Sequence, residues 1–186
     1  MRACWLVLLL AGAMRAAGGP ETAGPVPADP DLLEQVRLEF ERAPDSSAVT
    51  RSLTRLLQAR LPPDRAEWPP VFQAYDAALA GLAGKHARLP WDKYNRTRAG
   101  LAGLDALAAA HPESIEIRAL RFFFCRGLPD LFQAGPTAEA DLAALADLFA
   151  RGADDSVAGD YRRKLRQALR EAAPAGSEAR RKLDAP

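Results

Sequence analysis

The chain has 186 residues, of which 48% are hydrophobic and 26% charged, so its composition is that of a globular protein and not of a disordered one. Its formal net charge of +1 at pH 7 disfavours a strongly basic nucleic-acid-binding protein, and two cysteines exclude a disulfide-dense scaffold. We therefore expect no nucleic-acid partner and one folded domain held together by core packing.

The N-terminus predicts a signal peptide over residues 1–18. Arg2 gives a positive start, and the uncharged apolar run 3–13 is shorter than the roughly 20 residues that a membrane-spanning helix needs. Small residues at 11–13 and at 16–18 both fit a cleavage site, and we favour the second, which places cleavage before Gly19. No cysteine follows the run to carry a lipid. We expect a periplasmic or secreted protein with no integral membrane segment after cleavage; the alternative is an uncleaved N-terminal helix.

Residues 19–30 are rich in Pro, Gly and Ala and predict a disordered linker. In residues 31–173 apolar side chains recur at steps of three and four, which predicts a single helical domain. Proline and glycine breaks divide it into seven predicted helices, at residues 31–42, 47–61, 70–88, 91–110, 115–126, 137–150 and 154–173. Residues 174–186 have few apolar side chains and predict a disordered tail.

Short loops between these helices favour antiparallel helical hairpins, so the predicted fold class is all-α, a bundle that resembles a solenoid. Within the fourth helix, Gly100 and Gly103 each cost roughly 1 kcal/mol relative to alanine. Close approach of a neighbouring helix would explain both glycines.

The fifth predicted helix is apolar around most of its circumference, with three consecutive phenylalanines at 122–124, so we expect it to be central. Its narrow remaining stripe carries Arg118, Arg121 and Cys125. One interpretation is a redox-sensitive thiol or an anion pocket, since nearby arginines favour the thiolate. The alternative is that the arginines pair with acidic residues of a neighbouring helix and that Cys125 fills core space.

A second cluster, at the corner between the third and fourth predicted helices, consists of Lys85, His86, Trp91, Asp92 and Lys93. Aromatic and mixed-charge residues on a connecting segment are typical of partner recognition. Because His86 lies on the apolar stripe, the alternative for it is a buried histidine that bonds to the backbone.

Residues 104–114 (LDALAAAHPES) resemble the end of the second helix of a tetratricopeptide repeat, where a proline closes one helix hairpin and opens the next. Residues 75–131 are also similar to a group of uncharacterised exported bacterial helical proteins. The shared pattern is Lys85-His86, Pro90-Trp91-Asp92-Lys93, Ile115-Glu116-Ile117-Arg118, Leu120-Arg121-Phe122 and Leu128-Pro129. These resemblances imply a helical-hairpin fold and no particular activity.

Catalytic signatures are missing from the sequence. It has no glycine-rich phosphate loop, no Gly-x-Ser-x-Gly elbow and no His-Glu-x-x-His, so we expect neither an enzyme nor a bound cofactor or metal. The sequence favours an exported, non-catalytic interaction module for a protein or peptide partner. The alternative is a domain that binds a small anionic ligand or senses redox state through Arg118, Arg121 and Cys125.

Overall fold

The computed structural model describes residues 28–154, 156–157 and 159–185, so the predicted signal peptide and most of the predicted linker lie outside the described residues. Within these ranges the fold is all-helical, with eight α-helices and no strand, which confirms the predicted fold class. The helices are α1 (Pro30–Phe40), α2 (Ser47–Arg60), α3 (Pro70–Lys85), α4 (Pro90–Ala110), α5 (Ile115–Arg126), α6 (Gly135–Ala150), α7 (Gly159–Ala172) and α8 (Glu178–Asp184).

Several helices begin at a polar capping residue or at a proline. The carboxylate of Asp29 accepts from the backbone N–H of Asp31 at the start of α1, and Ser114 Oγ accepts from the N–H of Ile117 at the start of α5. Pro70 begins α3, where the missing N–H is not needed. These caps satisfy donors that the helix itself cannot use.

Helices α3 and α4 form the tightest hairpin, because glycines let their backbones touch. A Cβ on Gly100 of α4 would lie 2.6 Å from the Cα of Gly81 and 2.7 Å from the carbonyl oxygen of Ala77, both in α3. One turn later in α3, Gly84 lies against Thr97 of α4. A later residue of α3 thus contacts an earlier residue of α4, so the two helices are antiparallel. The close approach predicted at Gly100 is confirmed.

Two apolar clusters make the core, and α5 belongs to both. The first contains residues of α1 to α4 together with Ile117 and Leu120 of α5. The second contains residues of α6 to α8 together with Ile115, Ala119 and Phe122 of α5. The predicted central position of the phenylalanine-rich helix is confirmed, although Phe123 is 39% exposed.

The predicted disordered tail is wrong for residues 178–184, which form α8. Leu183 is buried in the second apolar cluster, Asp184 pairs with Arg170, and the Lys182 ammonium lies 2.7 Å from an Asp147 carboxylate oxygen of α6. Ser177 caps the helix by accepting from the backbone N–H of Arg180. A single buried leucine makes no apolar periodicity, so the sequence pattern could not predict α8.

The predicted start of the seventh helix at residue 154 is also wrong. Helix α7 begins at Gly159, and Asp154 lies before it with a positive φ of 61°. Its carboxylate accepts from the backbone N–H of Ile115 at 2.7 Å, so it caps α5, a helix about forty residues earlier in the chain. The helix α6 begins at Gly135, two residues before the predicted start.

The contact at Gly100 predicts a stability difference between two glycine substitutions. Gly100→Ala should lower the free energy of unfolding by about 1–3 kcal/mol, because the new Cβ meets backbone atoms that cannot move aside. Gly127→Ala is the matched control, since its Cβ would meet carbonyl oxygens only at the ordinary contact distances of 3.5 and 3.6 Å. Urea unfolding followed by circular dichroism measures both, and equal effects would contradict the tight α3–α4 packing.

Candidate functional site

The arginines of the α5 stripe bind a carboxylate of α6. Asp141 is fully buried and accepts from Arg118 Nη1 at 3.0 Å and from Arg121 Nε and Nη2 at 2.7 Å each. Arg121 Nη1 also donates to Asp105 of α4 at 3.0 Å. The hydrogen bonds that Arg121 donates to Asp141 raise the pKa of Arg121, and this outweighs the opposing effect of burial. The two guanidinium groups are therefore engaged inside the fold.

The thiol of Cys125 is buried beside these charges. It borders a cleft of about 510 Å³ between α5 and the start of α6, but only 3% of the residue is exposed. Burial raises the pKa of the Cys125 thiol to about 11, and the carboxylates of Asp105 and Asp141 act in the same direction. Arg121 opposes this shift and does not overcome it, which favours the alternative interpretation, that Cys125 fills core space.

A second buried carboxylate, that of Glu116, lies on α5, and no sequence motif assigns it a role. Glu116 Oε1 accepts from Tyr75 Oη at 2.7 Å and from Arg37 Nε at 2.9 Å, while Oε2 accepts from Arg37 Nη2. The guanidinium of Arg37 lies 4.1 Å from the ring centre of Tyr161 of α7. Burial raises the pKa of Tyr75 well above its usual value, with help from the charge of Glu116.

The Glu116 cluster, which consists of Arg37, Tyr75, Glu116 and Tyr161, joins four helices, α1, α3, α5 and α7. Burial by itself lowers the pKa of Arg37, but the hydrogen bond and charge of Glu116 outweigh it and raise the pKa overall. Both Arg37 and Tyr75 therefore keep their protons at neutral pH. A cluster in which the carboxylate is matched by an arginine and a tyrosine stabilises the helix arrangement and offers no free group for acid–base chemistry.

An apolar groove of about 590 Å³ lies at the corner where α3 turns into α4; we call it the corner groove. One wall is formed by the last turns of α3 and the first turns of α4, and the other by the end of α5 and the segment that follows it. The first wall consists of Gly81, Leu82, Gly84, Lys85, Pro90, Lys93, Tyr94 and Thr97. The second consists of Phe123, Phe124, Gly127, Leu128, Pro129, Leu131 and Phe132, with Phe40 and Pro44 at one side.

Large apolar side chains of the corner groove are in contact with solvent. Leu131 is 65% exposed, Tyr94 is 40% exposed and Phe123 is 39% exposed. The rings of Tyr94 and Phe132 stack with centres 5.4 Å apart, which joins the two walls at one end. A concave surface of this volume, lined by aromatic and aliphatic groups, has the form of a binding cleft, since such clefts measure about 300–1,000 Å³.

Two of the five predicted corner residues line the groove. Lys85 and Lys93 are part of the first wall, whereas Trp91 is 63% exposed beside it and Asp92 is half-buried. The half-buried His86 ring lies with Nε2 3.3 Å from the carbonyl oxygen of Ala43, as its alternative interpretation expects. The backbone bond ties the corner to the turn between α1 and α2.

The sequence did not identify most of the groove. Phe123 and Phe124 were assigned to the core, and Leu131 and Phe132 received no role. A signal was present, since the segment Pro129-Asp130-Leu131-Phe132 sets two large apolar residues in a loop, where they have no helix face to join. Their partner wall is about forty residues earlier, so no local pattern could pair the two segments.

The burial of Cys125 predicts slow modification of the native thiol. In a chain with Cys4→Ser, labelling by an aromatic disulfide reagent at pH 8 should be slower than in denaturant by at least about tenfold, because the native thiol is protonated and covered. The rate should rise as the pH approaches 11 while the fold persists. Fast labelling of the native chain at pH 8 that falls on adding phosphate would instead support the anion-linked thiol.

Over the described ranges, no three His, Cys, Asp or Glu side chains are grouped as a metal site would require. In the same residues, no helix has both the length and the hydropathy to cross a bilayer. No protein-family model matches the chain, and neither the curated proteins nor the solved structures give a significant match.

Proposed function

We propose that the protein is an exported, non-catalytic interaction module that binds a peptide segment of a protein partner in the corner groove. The observation that carries the proposal is the set of exposed apolar side chains, Tyr94, Phe123 and Leu131, that face one concave surface. Exposed aromatic and aliphatic groups gathered in a cleft are the usual anchors of a protein interface.

The shape of the corner groove favours a peptide over an enclosed small molecule. Small ligands commonly bury about 70–90% of their surface in a cavity, whereas Leu131 at 65% exposure stands at an open edge. A peptide can insert one or two apolar side chains between the walls and leave its backbone outside. Helical-hairpin proteins, which residues 104–114 resemble, commonly present such surfaces to peptides.

The proposed export rests on the sequence, and the proposed non-catalytic role rests on the pairing of the buried charged side chains. The leader-like features of residues 1–18 support export. The Arg118–Arg121–Cys125 stripe gives weaker support to its alternative, anion binding or redox sensing, because Asp141 occupies both guanidinium groups and the thiol is protonated. The paired state of the buried Glu116 cluster supports a non-catalytic role.

Display of a random library of peptides about 12 residues long, panned against the full chain, tests the groove. Peptides recovered on the native chain should bind Leu131→Ser at least about tenfold more weakly, because the substitution removes an exposed apolar anchor. Leu38→Ser is the matched control, since Leu38 is 54% exposed on α1 and does not line the groove.

Peptides that bind Leu131→Ser as well as the native chain would contradict the proposed groove. So would peptides that are lost equally in both variants. Thermal unfolding of each variant, followed by circular dichroism, checks that both exposed sites are replaced without loss of the fold.

A further inference from the structure

The charges that line the corner groove are all positive. Among its lining residues the only charged side chains are Lys85, in the last turn of α3, and Lys93, near the start of α4. No carboxylate is part of either wall.

Within the described residues, neither lysine is held by a buried carboxylate. The ammonium of Lys85 lies 3.4 Å from Asp45 Oδ1, but the Asp45 side chain is 87% exposed, so the pair is a weak surface contact. Lys93 takes part in none of the ion pairs among the described residues. The buried arginines differ, since Arg37, Arg118 and Arg121 each have a buried carboxylate.

We propose that the segment bound in the corner groove is acidic, with Asp or Glu side chains that pair with Lys93 and Lys85 beside apolar side chains that fill the cleft. The inference rests on the proposed function and names the chemistry of its partner. Apolar contacts with Phe123 and Leu131 supply most of the affinity, while the lysines select the sign of the charge and speed the encounter. A basic segment would bring like charges together in the same groove and is rejected.

The acidic character makes the partner's binding depend on salt. The Lys93 ammonium is at the surface, so dissolved ions screen its attraction, which is largely lost beyond a Debye length of about 8 Å at physiological ionic strength and over shorter distances as salt is added. The apolar contacts are not weakened in this way. Binding should therefore fall with added sodium chloride and level off at the affinity of the apolar anchors.

Panning the same random library against charge variants of the full chain tests the inference. On the native chain the recovered peptides should be enriched in Asp and Glu by at least about threefold over the library. On the double variant Lys85→Glu with Lys93→Glu, this enrichment should vanish and Lys and Arg should take its place. Lys164→Glu is the matched control, because Lys164 is exposed on α7, away from the groove, and should keep the acidic preference.

Direct binding of the recovered acidic peptides gives the second readout. Their affinity should fall at least about tenfold in the double variant and change less than about twofold in Lys164→Glu. All three substituted lysines are exposed, so the fold should survive, and thermal unfolding checks this.

The outcomes separate the inference from the proposed function. Peptides that need Leu131 but show no acidic preference would overturn the inference and leave the proposed function standing. If no recovered peptide needs Leu131, both are overturned. Displacement of the peptides from the groove by dodecanoate at micromolar concentration, or self-association that Leu131→Ser abolishes, would overturn the inference in favour of an amphiphile or a second copy of the chain.

Discussion

The structure depends on the requirement that a carboxylate buried inside the fold be matched by positive charge and hydrogen bonds. Helix α5 meets this requirement twice, because its Glu116 is held by Arg37 of α1 and its Arg118 and Arg121 hold Asp141 of α6. Desolvation cancels much of the attraction in such pairs, so their net stabilisation is small, whereas removing one partner costs about 3–5 kcal/mol. The pairs therefore fix where α5 lies more than they add to stability.

The position of α5 in turn determines the corner groove. The first half of α5 is attached to α1 through Glu116, and its middle is attached to α6 through Arg121. Its last turn then sets Phe123 opposite the α3–α4 hairpin and starts the segment that carries Leu131. The glycines that bring α3 and α4 together complete the opposite wall. A buried charge network and a tight glycine contact thus position the two walls of the groove, which come from distant parts of the sequence.

The sequence was sufficient where a signal is local and strong. Helical periodicity and proline breaks predicted the all-α class, and the phenylalanines at 122–124 predicted the central position of their helix. Charged and aromatic residues drew attention to the corner where Lys85 and Lys93 line the groove. The sequence was not sufficient where a contact between distant residues determines the structure. Asp154 caps a helix far away in sequence, and the buried Leu183 holds α8 together with the ion pairs of Lys182 and Asp184. Leu131 is part of a groove only because residues of α3 and α4, far from it in sequence, form the opposite wall.

Because α5 contributes side chains to both apolar clusters, we expect the two clusters to unfold as one cooperative unit. Differential scanning calorimetry of the full chain tests it most directly. We expect one transition whose calorimetric and van't Hoff enthalpies agree, and Asp141→Asn should lower its midpoint while keeping it single. Two separate transitions in the native chain, one for α1 to α4 and one for α6 to α8, would contradict the claim.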